Sequence, residues 1–226
     1  MNGKQSYGQH QFRASDDATE ILLVRHGASQ AYVPGEPFAM LGDQGDPPLA
    51  PEGRAQAKLV GDRLALEPID AVYITKLQRT RETAAPLLAQ RAIEPQVSPH
   101  LHEIHLGEWE GGLTRVYMAD PENPIAKEVM RSGTFDAIPG AESSTDFLAR
   151  VQLGLNEIAE VHPGQNVVAF VHGGVIAAAA RLMTNASERF GPVDNCSITH
   201  LVFQNGHQLL KSFNDTTHLG PTFTRV

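Results

Sequence analysis

The chain has a single cysteine, Cys196, so no internal disulfide can form, and it has no excess of positive charge. Eighteen Lys and Arg face 26 Asp and Glu for a net charge of −8, which leaves no overall field to gather nucleic acid or an anionic membrane. No apolar run approaches the roughly eighteen residues of a membrane span. The opening residues, MNGKQSYGQHQFRAS, also lack the apolar stretch of a signal peptide. These absences imply a reducing cytoplasm, with neither nucleic acid nor membrane as a partner. There is no internal repeat and no linker dividing two cores.

Apolar residues make up 41% of the chain, and its 20 glycines bring that to the usual share for a globular protein with one core. Residues 1–18 are polar and aperiodic and read as a mobile tail, which leaves 19–226 as one domain. Residues 21–24 form a continuous apolar run that stops at Arg25-His26-Gly27, as in a strand buried on both faces. Residues 31–48 hold four prolines and three glycines and read as a long irregular loop. Pro51 suits the first turn of a helix whose stripe is Ala57, Val60 and Leu64. Residues 71–74 read as a short strand, followed by a helix marked by Leu77, Ala84 and Leu88 just after Thr75.

Ser143 with Asp146 resembles a capping box, and Phe147, Val151, Leu155 and Ile158 form the stripe behind it. Residues 167–171 read as a second buried strand, ending at His172-Gly173-Gly174 before an alanine-rich helix. Residues 198–203 and 207–210 flank Asn205-Gly206, a hairpin signal. Alternating strands and helices predict a three-layer α/β fold: a mostly parallel sheet with helices on both faces and an antiparallel edge strand. In such sheets ligands bind at the carboxyl ends of the strands. Arg25, His26, Thr75 and His172 all fall there.

An arginine after a buried strand offers a planar fork for a phosphate or carboxylate, and a neutral imidazole beside it is a nucleophile. Alone, the triplet is read more readily as a surface ion pair beside a loop histidine. Its companions narrow the reading. Leu23-Val24-Arg25-His26-Gly27-Ala28-Ser29 resembles the signature of the histidine phosphatase superfamily, in the branch that contains the phosphoglycerate mutases. Leu49-Ala50-Pro51-Glu52-Gly53 is similar to that branch's helix opening. Leu77-Gln78-Arg79-Thr80-Arg81-Glu82-Thr83-Ala84 resembles its second arginine motif. Leu101-His102-Glu103 with Gly107-Glu108-Trp109-Glu110-Gly111 resembles its acid motif, and Val171-His172-Gly173-Gly174 completes the set in order.

The resemblance implies a catalytic set of His26, Glu103, His172, Arg25 and Arg79. In it His26 becomes a phosphohistidine and Glu103 is the proton donor to the leaving alkoxide. Arg25, Arg79, His172, Gly173 and Ser29 would bind the phosphate, with the Asn195-Cys196-Ser197 turn bracing the pocket. No cofactor and no metal is implied. His100, His102 and His105 surround Glu103, but His102-Glu103-Ile104-His105 is one residue short of the helical zinc spacing, and an extended stretch turns His102 away from His105. Cys196 has no basic neighbour in sequence and reads as a buried small hydrophobe.

The expected partner is a small phosphorylated substrate, and a homodimer stays open. Phosphatase action through His26 leads; a mutase that re-transfers the phosphoryl group and a non-catalytic phospho-ligand binding module are the alternatives. Mutases carry an asparagine where this chain has Ser29-Gln30-Ala31-Tyr32, and Thr75 stands where the second arginine motif commonly opens with serine. Residues 31–48 and 113–138 are expected to cover the pocket, with Trp109 and Tyr117 as walls.

Overall fold

Strand β1 (Thr19–Arg25) is the first element of the computed structural model, whose described residues are 8–9, 12–187 and 190–221. A small antiparallel pair, β2 (Met40–Leu41) and β3 (Gln44–Gly45), interrupts the loop expected to be irregular throughout. Helix α1 (Pro51–Leu64) starts with proline at its first position, as its fixed φ and missing N–H favour. Then come β4 (Ala71–Ile74), α2 (Gln78–Leu88), β5 (Gln96–Val97), a 3-10 turn at Gly107–Trp109, α3 (Leu113–Ala119) and α4 (Pro124–Ser132). The last elements are α5 (Ser144–Val161), β6 (Asn166–Val171), α6 (Gly173–Thr184), β7 (Ile198–Gln204), β8 (His207–Asp215) and a 3-10 turn at Thr217–Leu219.

The main sheet runs β5-β4-β6-β1-β7-β8. Its first four strands are parallel, and β7 and β8 add the antiparallel edge as the expected hairpin. The turn of that hairpin places Asn205 at φ 50° and Gly206 at φ 72°, the backbone an Asn-Gly pair tolerates. β8 runs to Asp215, five residues past the expected end.

Alternation along the strands divides the core between the two faces. Ile21, Leu23, Tyr73, Val167, Ala169 and Leu201 face α5 and α6. Val24, Val72, Ile74, Val168, Phe170 and Ile198 face α1 and α2. Each fully buried aliphatic side chain contributes about 1.5–3 kcal/mol, which is why the central strands read as unbroken apolar runs. A satellite cluster of Trp109, Ala126, Val129 and Ile138 lies under α4, whose first amides, Ile125 and Ala126, donate to the Asn123 side chain. Ser143 caps α5 by accepting from the Asp146 amide at 3.1 Å.

At the N-terminal side, the Ser15 amide donates to Gln204 Oε1 at 2.9 Å and the Gly164 amide to the Asp17 carbonyl at 3.1 Å. The stretch expected as a tail is therefore pinned to the domain from Ser15 onward, while residues 1–7, 10 and 11 lie outside the described residues. Residues 188–189 and 222–226 of the expected domain also lie outside them.

Register explains where the site forms. β1 and β6 pair with Arg25 opposite Val171, so His26 and His172 leave adjacent strands at the same level. The helices that follow these strands, α1 and α6, pack on opposite faces of the sheet. The crevice between diverging connections is where open α/β sheets place ligands.

Candidate active site

The His26 and His172 imidazoles meet edge to face, with ring centroids 5.3 Å apart. Both are buried, at 7% and 0% exposure. His26 Nδ1 lies 2.8 Å from the Gly27 carbonyl oxygen. A carbonyl can only accept, so the proton sits on Nδ1 and Nε2 holds the lone pair. His172 Nε2 lies 3.0 Å from the Thr75 hydroxyl, and its Nδ1 is buried with no hydrogen-bond partner among the described residues. Thr75 is held in turn by Thr80, whose hydroxyl accepts from the Thr75 amide and donates to the Leu77 carbonyl at 2.8 Å.

Burial pushes both imidazoles well below the ordinary histidine range, and the Arg79 and Arg25 guanidiniums push in the same direction. Both rings are thus neutral at physiological pH, as a nucleophile requires. Arg79 stands in the first turn of α2, where the helix amino end adds positive potential. Its Nη1 donates to the Gly45 carbonyl at 3.1 Å and lies 3.9 Å from Asp46 Oδ1, an ion pair without a close hydrogen bond. Arg25 Nη1 donates to the Val193 carbonyl, while its Nε is buried without a partner among the described residues. An unpaired guanidinium nitrogen and an unpaired imidazole nitrogen in one crevice are the groups an anion would satisfy.

Sequence reasoning missed a third guanidinium. Arg115 of α3 donates to the Gln30 carbonyl at 2.6 Å and Ser29 Oγ at 2.8 Å, and its charge helps lower His26. Ser29, expected to bind phosphate, accepts from Arg115, so its oxygen reaches the site through that cation. A lone arginine on a short helix carries no periodic signal that marks it as facing the site.

Glu103 lies in the irregular segment before the 3-10 turn. Its carboxylate accepts from the Gly174 amide at 3.3 Å and from the Ile104 amide at 3.1 Å. The Gly174 contact places the carboxyl at the amino end of α6, two residues past His172. A Cβ at Gly174 would sit 2.3 Å from Glu103 Oε1, so only glycine admits this approach. Arg150 of α5 holds the segment by donating to the His100, His102 and Glu103 carbonyls, while its Nε and Nη2 pair with Glu142. Gln44, next to the small hairpin turn, adds a bond to the Glu103 carbonyl at 2.9 Å. Neither Arg150 nor Gln44 was singled out by its sequence context.

The loop after β1 is locked from two sides. The Gly27 amide donates to Thr83 Oγ1 at 3.0 Å, and the Asn195 side chain donates to the His26 carbonyl at 2.8 Å. Gly27 and Gly53 interlock: a Cβ on Gly27 would lie 2.5 Å from the Gly53 oxygen, and one on Gly53 would lie 2.0 Å from the Ala28 oxygen. This contact explains why glycines recur after the strand and in the first turn of α1.

One other expectation changes. Trp109 is buried in the satellite cluster, 5.1 Å from the Tyr117 ring, and so forms a core rather than a pocket wall. His102 Nδ1 bonds the Pro99 carbonyl and His105 lies against Asp43 and Gly140, so the two rings serve separate neighbours. Burial raises the Cys196 thiol to about 12, which removes it as a nucleophile near neutrality.

A lone pair on a neutral imidazole, cations around it, an unpaired guanidinium N–H, an unpaired imidazole nitrogen and a carboxyl nearby form the equipment of phosphoryl transfer by a histidine. Comparison with known proteins agrees. The chain is 32% identical over 215 residues to a metal-independent phosphoserine phosphatase of Arabidopsis thaliana, covering 92% of this chain and 86% of that protein. It is 29% identical over 211 residues to phosphoserine phosphatase 1 of Hydrogenobacter thermophilus, covering 92% and 97%. A phosphoglycerate mutase structure from Bacillus anthracis shares the fold, with TM-score 0.75 at 22% identity over 90% of this chain and 97% of that one. Residues 21–216 match the model of the histidine phosphatase superfamily (branch 1), and the chain belongs to that family.

Proposed function

We propose that the protein hydrolyses a small phosphomonoester through a phosphohistidine formed on His26. The observation that carries this reading is the pair of neutral, buried imidazoles 5.3 Å apart between Arg25 and Arg79. His26 Nε2 attacks phosphorus in line with the ester oxygen, while Arg25, Arg79 and His172 hold the equatorial oxygens. The Thr75 hydroxyl, which also meets Thr80 Oγ1 at 3.1 Å, can turn its proton to His172 Nε2. With that proton accepted, His172 carries its own on Nδ1 and presents an N–H to a phosphoryl oxygen.

Glu103 gives a proton to the departing alkoxide, then takes one from the water that attacks the phosphohistidine and releases inorganic phosphate. Each fixed donor stabilises the transition state by about 3 to 4 kcal/mol, by analogy with oxyanion-hole donors. Gly173 backs the Arg25 guanidinium, and Ser29 acts by orienting Arg115.

Residues 19–226 act as one catalytic domain. The five side chains come from one protomer, so a homodimer is compatible with the chemistry without being needed to complete the site. A net charge of −8 disfavours nucleic acid and anionic membrane as partners, and no described helix is long and apolar enough to cross a membrane. A reducing cytoplasm suits the lone buried thiol.

The test is to incubate the protein with a phosphomonoester and assay inorganic phosphate together with acid-labile phosphoprotein. Release of phosphate with a labile label absent from His26→Ala is expected. Rapid interconversion of phosphoglycerate isomers with little phosphate released would replace hydrolysis by mutase chemistry. Tight binding of phosphate esters without turnover would leave a binding module.

A further inference from the structure

A cavity of about 570 Å³ opens beside Glu103 and Arg25 and extends away from the imidazoles along α6. Its floor is one face of that helix, Gly174, Ala177, Ala178 and Arg181, the spacing of residues stacked over two turns. Seven residues of rise make that face about 10 Å long. Phe147 and Leu148 of α5 form one wall, and Phe135 and Val129 line the side toward α4. Phe190 and Val193 line it from the segment before β7. Beyond Arg25 and Glu103, Arg181 is the one charged residue among the described lining residues, and it stands at the far end.

On the reading that Glu103 protonates the leaving oxygen, the alcohol half of the ester must pass this carboxyl, so the cavity is where it goes. We propose that the preferred substrates are phosphomonoesters of aromatic or similarly bulky apolar alcohols, lying along α6, rather than of charged three-carbon alcohols. Three phenylalanines and two alanines offer an apolar slot that favours a ring; the uncharged polar side chains lining it are the hydroxyls of Ser132, Thr134, Ser144 and Ser187, and the charges nearest the ester, Arg25 and Glu103, are already engaged by the reaction itself. Arg115 is not a ready substitute, because its guanidinium is committed to Ser29 and Gln30. Phosphoserine, the compound in the names of two relatives, is therefore the natural comparator.

The experiment compares kcat/KM for ethyl phosphate, 2-phenylethyl phosphate, 2-(2-naphthyl)ethyl phosphate and O-phospho-L-serine. All four are alkyl esters, which limits differences in leaving-group reactivity. We expect at least a tenfold rise from ethyl to 2-phenylethyl phosphate, with phosphoserine near ethyl phosphate. Ala177→Leu, which fills the slot, should cut the naphthyl ester at least tenfold while ethyl phosphate changes less than about threefold. Ser132→Trp, at the exposed rim, should act in the same direction if the first variant melts early. Hydrolysis of phosphoserine as fast as the aromatic esters, or a uniform loss across all four esters in both variants, overturns this inference alone. No turnover of any ester by the unmodified protein overturns the phosphatase reading and this inference with it.

Discussion

The carboxyl ends of β1 and β6 each deliver a histidine to the same crevice, yet the two rings are held differently. His26 is fixed by a backbone carbonyl, an acceptor that cannot change role, so its lone pair stays on Nε2. His172 is fixed by the Thr75 hydroxyl, which can give or take a proton. The lesson is that neighbouring identical side chains are assigned different duties by their partners. A rigid acceptor suits a nucleophile, and a hydroxyl suits a donor whose tautomer follows the ligand.

The contrast is sharpest in the largest expected effect. His26→Ala should lose at least about a thousandfold in kcat with the fold intact, as removal of a covalent nucleophile predicts, and should take up no acid-labile phosphate. His172→Ala should lose about a hundredfold but still form labelled phosphoprotein slowly, since the nucleophile remains; equal loss of label in both variants would erase the distinction.

Stability against pH tests what the rings share. Both are held neutral by burial, so below about 6.5 the unfolded chain binds more protons than the folded one. The stabilisation is complete above that pH and is lost as pH falls toward the depressed folded values, by at most about 1.4 kcal/mol per pH unit for each ring. Urea midpoints between pH 7 and pH 5 should fall, and fall less in either alanine variant. Smallest is Thr75→Val, expected to lower kcat about tenfold with KM little changed, while Thr75→Ser restores it within about twofold. Failure of serine to rescue would assign Thr75 to packing alone.

The central sheet was legible because β1 and β6 are buried on both faces and end at glycine, and because Asn205-Gly206 and the Ser143 cap carry local signals. The residues read from separate motifs do meet: His26, His172, Arg25 and Arg79 share one crevice, with Glu103 at the start of α6. The small hairpin, α3 and α4 escaped notice because two-residue strands and short helices have too little periodicity. The Asn123-Pro124 start of α4 was a readable cap that lay inside an apparent covering segment. Arg115, Arg150 and Gln44 were invisible for another reason. Each acts on residues remote in sequence, and nothing next to a lone polar side chain records which distant carbonyl or hydroxyl it will reach.

Arg150 substitutes for a strand. The backbone from His100 to Glu103 has no ladder to hold it, and a single guanidinium collects three of its carbonyls while anchored on Glu142. Much of the support for the Glu103 backbone therefore comes from α5, whereas His26 follows directly on a central strand. A small tilt of that helix would shift Glu103 against His26 without disturbing a single inter-strand bond.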